Sequence, residues 1–404
     1  MNLGIVGGTY IELCQFPAWD AVYGSGLRAV EAVSRLGGSV DFWTYVGSEH
    51  EPALLARAHD LRVKVNQFVI PRTVSFEYVH GFSIPVISPL PEILKRERQP
   101  AILVEGDAVL RFGLIEGDAK VAGKRVVYDP QNPHEPESFA TGGSTAERLA
   151  IVCNKSEGSM LTGEKEPSRI AEKLIGLDGS KTVVVKCGSQ GAIVAEAGKT
   201  ERIPAYETKS VWPIGSGDVF AAAFAWWWAC NGTSAVEAAH DASKVTAFYC
   251  EKQHLDFPAN FATTFQNRPL PFHAHPKRKK VYLAGPFFSM GQIWLINEAY
   301  DALDSQGLNV FSPLHHVGRG SAEEVYAPDI QGIEECDVVF ACVDGLDPGT
   351  IFEIGYAKKL NRPVVAFVEN EKPEDLKMLI GSGCILHDDF VTAVYKTSWI
   401  ANAT

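Results

Sequence analysis

The chain has 404 residues, 46% of them hydrophobic and 21% charged, with a formal net charge of -12 and a pI near 5.4. That length calls for more than one domain. The acidic balance argues against broad nucleic-acid binding, yet leaves room for small phosphorylated ligands at a local site. In chain order, the first strand is expected at Asn2-Leu-Gly-Ile-Val6 and ends on Gly7-Gly8. The N-terminus runs straight into it, and no signal peptide is read there. A helix follows over 23–37, with Gly24, Ser25 and Gly26 at its start and Arg28 behind them. Alternation predicts a strand over 40–46. Apolar runs at 101–104 and 125–128 read as buried strands, the second ending in Asp129-Pro130. Residues 149–153 run into Asn154-Lys-Ser-Glu157, and 182–186 into Cys187-Gly188-Ser-Gln-Gly191. Strands that alternate with helical segments throughout predict a doubly wound α/β domain with a mainly parallel sheet.

The stretch Ile214-Gly215-Ser216-Gly217-Asp218 precedes a helix of small residues. Backbone N–H groups at such a start can cradle an anion, and Asp218 is placed to take a proton from a hydroxyl. A tight turn with an Asp cap is the plainer reading. The apolar run 219–230, with Trp226, Trp227 and Trp228, is too short to span a bilayer and reads as a buried helix. From 256 to 279, prolines, His273, His275 and the start of the basic run Lys277-Arg-Lys-Lys280 interrupt the periodicity, as a linker does. Eight scattered cysteines without a CxxC pair read as reduced thiols, which suits a cytoplasmic protein rather than a zinc site or a disulfide frame.

After the linker, Lys280-Val-Tyr282-Leu-Ala-Gly285-Pro-Phe287-Phe288 reads as a strand that ends in Gly-Pro and two aromatics. A short helix over Asp329–Asp337 leads into a buried strand at 337–343. Asp347-Pro-Gly349-Thr350-Ile-Phe-Glu353 then opens a helix running to about Leu360. Two carboxylates thus meet at the carboxyl end of a parallel sheet, where such sheets bind ligands. Close carboxylates push their pKa values apart, which separates nucleophile from proton shuttle. Thr350-x-x-Glu353 also fits a capping box, which would make the glutamate structural. His315 and His316 read as surface or packing residues, with substrate contact as the alternative.

In order and spacing, these motifs over roughly 280–395 resemble the nucleoside 2-deoxyribosyltransferase family, a smaller Rossmann-like or flavodoxin-like domain. The resemblance makes Glu353 the nucleophile at the anomeric carbon and Asp347 the acid that handles the base and its proton. Asp329 becomes a sugar-binding acid and Tyr282 the residue that orients the nucleophile, with Gly285, Phe287 and Gly349 around the substrate. The chemistry suits these residues. A carboxylate stabilises the oxocarbenium character of a cleaving N-glycosidic bond, and the departing base needs a proton. Phe287 and Phe288 could stack on a base or simply pack.

Residues 1–255 resemble the ribokinase-like (PfkB) carbohydrate kinases, which implies ATP and Mg2+. In that family Gly215, Ser216 and Gly217 would hold the transferred phosphoryl group, with Asp218 as base. Asn154 and Glu157 would help to place metal and phosphates, Glu157 indirectly, and Gly188 and Gly191 would border the nucleotide. Two departures stand out. Val211-Trp-Pro-Ile214 replaces the family's Asp-Thr, and Arg28 stands near the position of a sugar-binding Asn. An arginine suits a carboxylate or phosphate better than a neutral hydroxyl, and a surface salt bridge is its alternative. The expectation is a bifunctional cytoplasmic protein acting on nucleosides, nucleotides or sugars, with neither nucleic acid nor membrane as partner. It combines N-glycosidic cleavage or base exchange with phosphorylation of a sugar or nucleoside. The alternative makes the N-terminal half a non-catalytic nucleotide sensor. The resemblance also implies a homo-oligomer. Expected boundaries are 1–255, a linker at 256–279, and 280–404.

Overall fold

A computed structural model describes residues 1–132, 135–258, 261–270 and 278–403. Pro271, His273, His275, Pro276 and Lys277 of the expected linker lie outside the described residues. The chain divides into two compact units, residues 1–208 with 212–269, and residues 209–211 with 270–404.

The first unit holds strands β1 (Asn2–Val6), β2 (Ile11–Phe16), β3 (Trp19–Val22), β4 (Ser39–Gly47), β5 (Lys64–Ile70), β6 (Ser75–His80) and β7 (Val86–Ser88). It continues with β8 (Ile102–Phe112), β9 (Ala119–Asp129), β10 (Thr145–Asn154), β11 (Thr182–Lys186), β12 (Ala192–Glu196) and β13 (Lys199–Ile203). The main sheet has the order β13-β12-β11-β10-β9-β8-β1-β4-β5. It is parallel from β11 to β5, and β12 and β13 close one edge antiparallel. A smaller sheet, β3-β2-β6-β7, stands apart from it.

The helices that matter for the site are α1 (Gly24–Arg35), α2 (Lys155–Thr162), α3 (Ser216–Ala225) and α4 (Ala235–Lys252). Side chains alternate across a strand, so the near-continuous valines of β11 serve two cores. Val184 joins one with Phe42, Phe220 and Trp228, while Val183 and Val185 join the other with Tyr128 and Ile170.

The expected alternation of strand and helix fails at several links, among them the one from β8 to β9. β8 and β9 are each 11 residues long, pair in parallel, and are joined only by residues 113–118. Seven Cα steps reach at most about 27 Å, short of the ~33 Å of a straight strand that long. The strands must therefore bend. The ladder lacks a rung at Asp107 and Lys124, which instead form an ion pair of 2.7 Å. No return helix fits in so short a link. The next link, 130–144, also has no helix among the described residues.

The second unit holds β14 (Lys280–Ala284), β15 (Asn309–Phe311), β16 (Val338–Cys342), β17 (Val364–Phe367) and β18 (Ile385–His387). Its sheet has the order β15-β14-β16-β17-β18 and is wholly parallel. The chain runs outward from β14 to β15, then returns to β16 on the other side. The carboxyl ends of β14 and β16 thus flank a switch point, the place where open α/β sheets bind ligands. Its helices include α5 (Met290–Ser305), α6 (Ala322–Glu335), α7 (Pro348–Lys359) and α8 (Phe390–Ala403). Both units are α/β, each with a mainly parallel sheet flanked by helices. No helix among the described residues is long and apolar enough to cross a membrane. All eight cysteines are free thiols.

Candidate functional sites

In the first unit a cleft of about 650 Å³ is lined by Tyr10, Glu12, Arg28, Asn154, Glu157 and Asp218, among others. Helix α3 starts in its wall. Gly215 is the N-cap with φ +74, and a Cβ there would overlap the Arg28 guanidinium. Only glycine meets both demands. Ser216 opens the helix, and a Cβ on Gly217 would lie 3.3 Å from Lys186 Nζ.

Arg28 is 1% exposed, so the surface salt bridge considered for it is excluded. Its Nη1 donates to Glu12 Oε1 at 3.0 Å and to Asp218 Oδ2 at 2.9 Å. Its Nη2 donates to Glu12 Oε2, and its Nε donates to Tyr249 Oη at 3.1 Å. The arginine therefore lines the cleft with most of its donors already engaged. Gln131 Nε2 donates to the other oxygen of Asp218. Burial pushes the Asp218 pKa up, and Arg28 pulls it back.

Behind them, Lys186 Nζ pairs with Asp129 Oδ2 at 2.5 Å. Burial lifts Asp129 to about 8, against the pull of Lys186. Burial works against the Lys186 charge, but Asp129 and Glu157 more than offset it and hold its pKa above the usual lysine value. Glu157 is also raised, chiefly by burial.

Asn154 and Glu157 close a capping box on α2, each accepting the other's backbone N–H at 2.8 Å. Gly188 and Gly191 do not line the cleft. They shape the turn from β11 to β12, where Gly191 has φ +86 and a Cβ would overlap the Ile203 carbonyl.

ATP with Mg2+ is what the resemblance implies here. Four carboxylates (Glu12, Asp129, Glu157, Asp218) face two cations (Arg28, Lys186), and Asp129 Oδ1 is buried without a donor. These residues suit the cation of a metal–nucleotide better than bare phosphate. No group of three His, Cys, Asp or Glu among the described residues is arranged to hold a metal. An ion beside Asp129 or Glu157 would thus draw further ligands from the nucleotide.

In the second unit, Tyr282 Oη donates to Glu353 Oε1 at 2.7 Å. Burial raises Glu353 to about 7; the Tyr282 bond lowers it, and Asp329 and Asp347 raise it further. Asp329 is lifted to about 6 by burial, and its Oδ1 is buried without a partner.

The capping-box reading of Thr350-x-x-Glu353 is overturned. Helix α7 begins three residues earlier than that reading requires, with Asp347 as N-cap. Asp347 Oδ2 accepts from Thr350 N at 2.8 Å and from Thr350 Oγ1 at 3.0 Å. This leaves Glu353 on the second turn, free to meet Tyr282.

Close approach crowds any side chain at both neighbouring glycines. A Cβ on Gly285 would lie 2.6 Å from Ile296 Cδ1, and one on Gly349 would lie 3.0 Å from Asp347 Oδ2. Phe287 is half-buried and Phe288 is 70% exposed, their rings stacked 5.7 Å apart, so Phe288 is not a core residue. His316 stacks on Phe311, and His315 bonds Ser312 and Asn297, so both histidines are engaged in packing and local bonds.

Reading the chain from motifs missed Glu12, Gln131, Tyr249 and the Asp129–Lys186 pair. The pair left a trace, since each residue ends a strand directly after an apolar run, Val126-Val-Tyr128 or Val183-Val-Val185. The others carry no local signal.

A family model for the pfkB family carbohydrate kinases matches residues 118–260, and one for nucleoside 2-deoxyribosyltransferases matches residues 281–389. An uncharacterized protein of Ureaplasma parvum serovar 3 is 30% identical over 102 residues, which cover 22% of this chain. The match spans 65% of that relative's length, just under two thirds. Among solved structures, a fructokinase from Vibrio cholerae O395, bound to fructose, ADP and calcium ion, superposes with a TM-score of 0.50 at 15% identity. It covers 66% of this chain and 99% of that one, which carries the fold alone. A ribokinase from Thermotoga maritima is 18% identical over 63% of this chain and 94% of its own, with a TM-score of 0.47. The N-terminal half thus resembles the ribokinase-like pfkB carbohydrate kinases, and the C-terminal domain resembles the nucleoside 2-deoxyribosyltransferases.

Proposed function

We propose that the C-terminal domain cleaves or exchanges the N-glycosidic bond of deoxynucleosides or their monophosphates. The observation that carries this is the Tyr282–Glu353 bond beside the unpartnered Asp329 oxygen. Glu353 attacks the anomeric carbon, and the C–N electrons leave with the base. Asp347 uses only Oδ2 in its cap, which leaves Oδ1 to pass a proton to the base. Asp329 Oδ1 accepts from a sugar hydroxyl. Water or a second base then attacks the glycosyl–Glu353 ester, gives up its proton to Asp347, and frees the Glu353 carboxylate. With a pKa of about 7, Glu353 is partly ionised at neutral pH, and the neutral Tyr282 hydroxyl steadies it without neutralising it.

The N-terminal half, in this proposal, phosphorylates a sugar or nucleoside, with Asp218 as base near the start of α3. A second reading is favoured by one observation: both oxygens of Asp218 already accept, one from Arg28 and one from Gln131. On this reading the half binds a nucleotide without transferring phosphate and regulates the C-terminal reaction.

The test incubates intact protein and Glu353→Ala with deoxynucleosides and their monophosphates, with and without an acceptor base and with and without ATP. Exchange that requires Glu353 establishes a transferase, and free base without an acceptor establishes a hydrolase. No turnover in any mixture overturns the glycosidic assignment. New phosphorylated product that disappears in Asp218→Asn supports the kinase. ATP-dependent base release without such a product supports the sensor.

A further inference from the structure

Helix α6 carries Asp329 and, one turn later, Gly332. Glycine inside a helix lowers its stability relative to alanine, as does Pro328 just before Asp329. Two unfavourable residues flanking a candidate site residue call for a physical reason. Gly332 has one. A Cβ there would lie 2.7 Å from two ring atoms of Phe311 and 3.1 Å from Tyr282 Cδ2. The bare backbone of α6 therefore rests against both rings. Those rings stack on each other, with centroids 5.6 Å apart and planes 21° apart. Phe311 in turn stacks on His316 at 5.0 Å. Tyr282 is fully buried, so its hydroxyl goes where this stack and α6 direct it, which is to Glu353 at 2.7 Å.

We infer that Gly332 and Phe311 are positioning residues: the close approach of α6 at Gly332 seats Tyr282 against Glu353 and fixes the approach of Asp329 from the same helix. This rests on the reading of Glu353 as the nucleophile. Any side chain at 332 wedges α6 from the ring stack. It loosens the Tyr282–Glu353 bond and withdraws Asp329 together with it. Neither Gly332 nor Phe311 need touch substrate, so their effect is on geometry and on the ionisation of Glu353. Loss of the Tyr282 bond removes the largest interaction that lowers the Glu353 pKa, so its midpoint rises from about 7.

The experiment compares wild type, Gly332→Ala, Phe311→Leu, Gly332→Ala with Phe311→Leu, and Tyr282→Phe in the full chain. Base release is followed against pH, Glu353 is titrated by carboxyl-carbon NMR, and folding is checked by thermal melts. Gly332→Ala should slow base release on the order of 100-fold, the scale of an ångström-sized misplacement. Its acid limb should move up in pH, in the direction seen for Tyr282→Phe. Phe311→Leu in the same chain opens room for the new methyl group and should recover most of the rate and the limb. A Gly332→Ala protein that folds with wild-type rate and limb overturns the inference, as does a double variant no better than the single. If Gly332→Ala does not fold, the double variant carries the test; if neither folds, Gly332 is purely structural and the inference falls. Should wild type release no base at all, the functional reading fails by itself. The NMR midpoint of Glu353 still decides the positioning claim, which stands only if Gly332→Ala and Tyr282→Phe shift it alike.

Discussion

Asp218 and Glu353 each lie at or near the start of a helix in an α/β unit, and their surroundings differ in kind. Asp218 is buried with a guanidinium on one oxygen and an amide on the other. Glu353 is half-buried, has a neutral hydroxyl on one oxygen, and has an unpartnered carboxyl oxygen on Asp329 as a neighbour. A buried cation commits a carboxylate to an ion pair, because separating the two leaves uncompensated charge in a medium of low dielectric. A neutral donor orients a carboxylate while leaving its charge available. The comparison teaches that a matching motif places an acid but does not say whether the acid is free to act.

The sharpest break between the two comes from removing the acids themselves. Glu353→Ala should lower base release by on the order of 10⁴-fold or more, as loss of a nucleophile does, with a melting temperature near that of wild type. If base release survives, Glu353 is not the nucleophile. The complementary change is Arg28→Met, which leaves Glu12 and Asp218 buried without their cation. It should destabilise the first unit by about 3–5 kcal/mol, the usual result of breaking a buried pair from one side. Urea unfolding reads this directly, and an unchanged midpoint would mean that the triad is not the fixed unit described above.

Tyr282→Phe sharpens the contrast from the other side. Burial sets the Glu353 pKa near 7, and the Tyr282 bond works to lower it. The nucleophile must be ionised, so the rate rises with pH through about 7 in the wild type. Without the hydroxyl the folded pKa rises, and the acid limb moves to higher pH. The rate at the plateau should fall roughly 10- to 100-fold, the equivalent of a hydrogen bond to a charged group. A limb that stays in place would show that this bond does not tune Glu353. The smallest effect is expected at Asn154→Ala. Loss of the α2 capping box should destabilise by about 1 kcal/mol, a shift that a thermal melt can resolve. A loss of nucleotide binding out of proportion to that change would support the ligand role that the resemblance implies for Asn154.

Much of the fold was legible because its signals are local. Strands β1, β4, β10, β11, β14 and β16 were visible as short apolar or alternating runs, and Gly215-Ser216-Gly217-Asp218 marked the start of α3. The candidate site of the second unit was legible for the same reason: Asp347 and Glu353 sit six residues apart across one turn, and Tyr282 lies on a strand of evident pattern. The helix-free link from β8 to β9 was not, since a bend in two paired strands has no residue signature of its own. Nor was the true start of α7, where Asp347 and Thr350 are both good caps and only the structure chose between them.

By itself, then, the sequence determined the two α/β units, their strands and the residues able to do chemistry, because periodicity and turn residues act over a few positions. Tertiary structure alone decided which of those residues are engaged. Arg28 meets Asp218 across 190 positions, Tyr282 meets Glu353 across 71, and Gly332 meets the Phe311 ring through a close approach of helix to sheet. Such contacts depend on where whole elements pack, and the burial that shifts the pKa values of Asp129, Asp329 and Glu353 exists only after packing is complete.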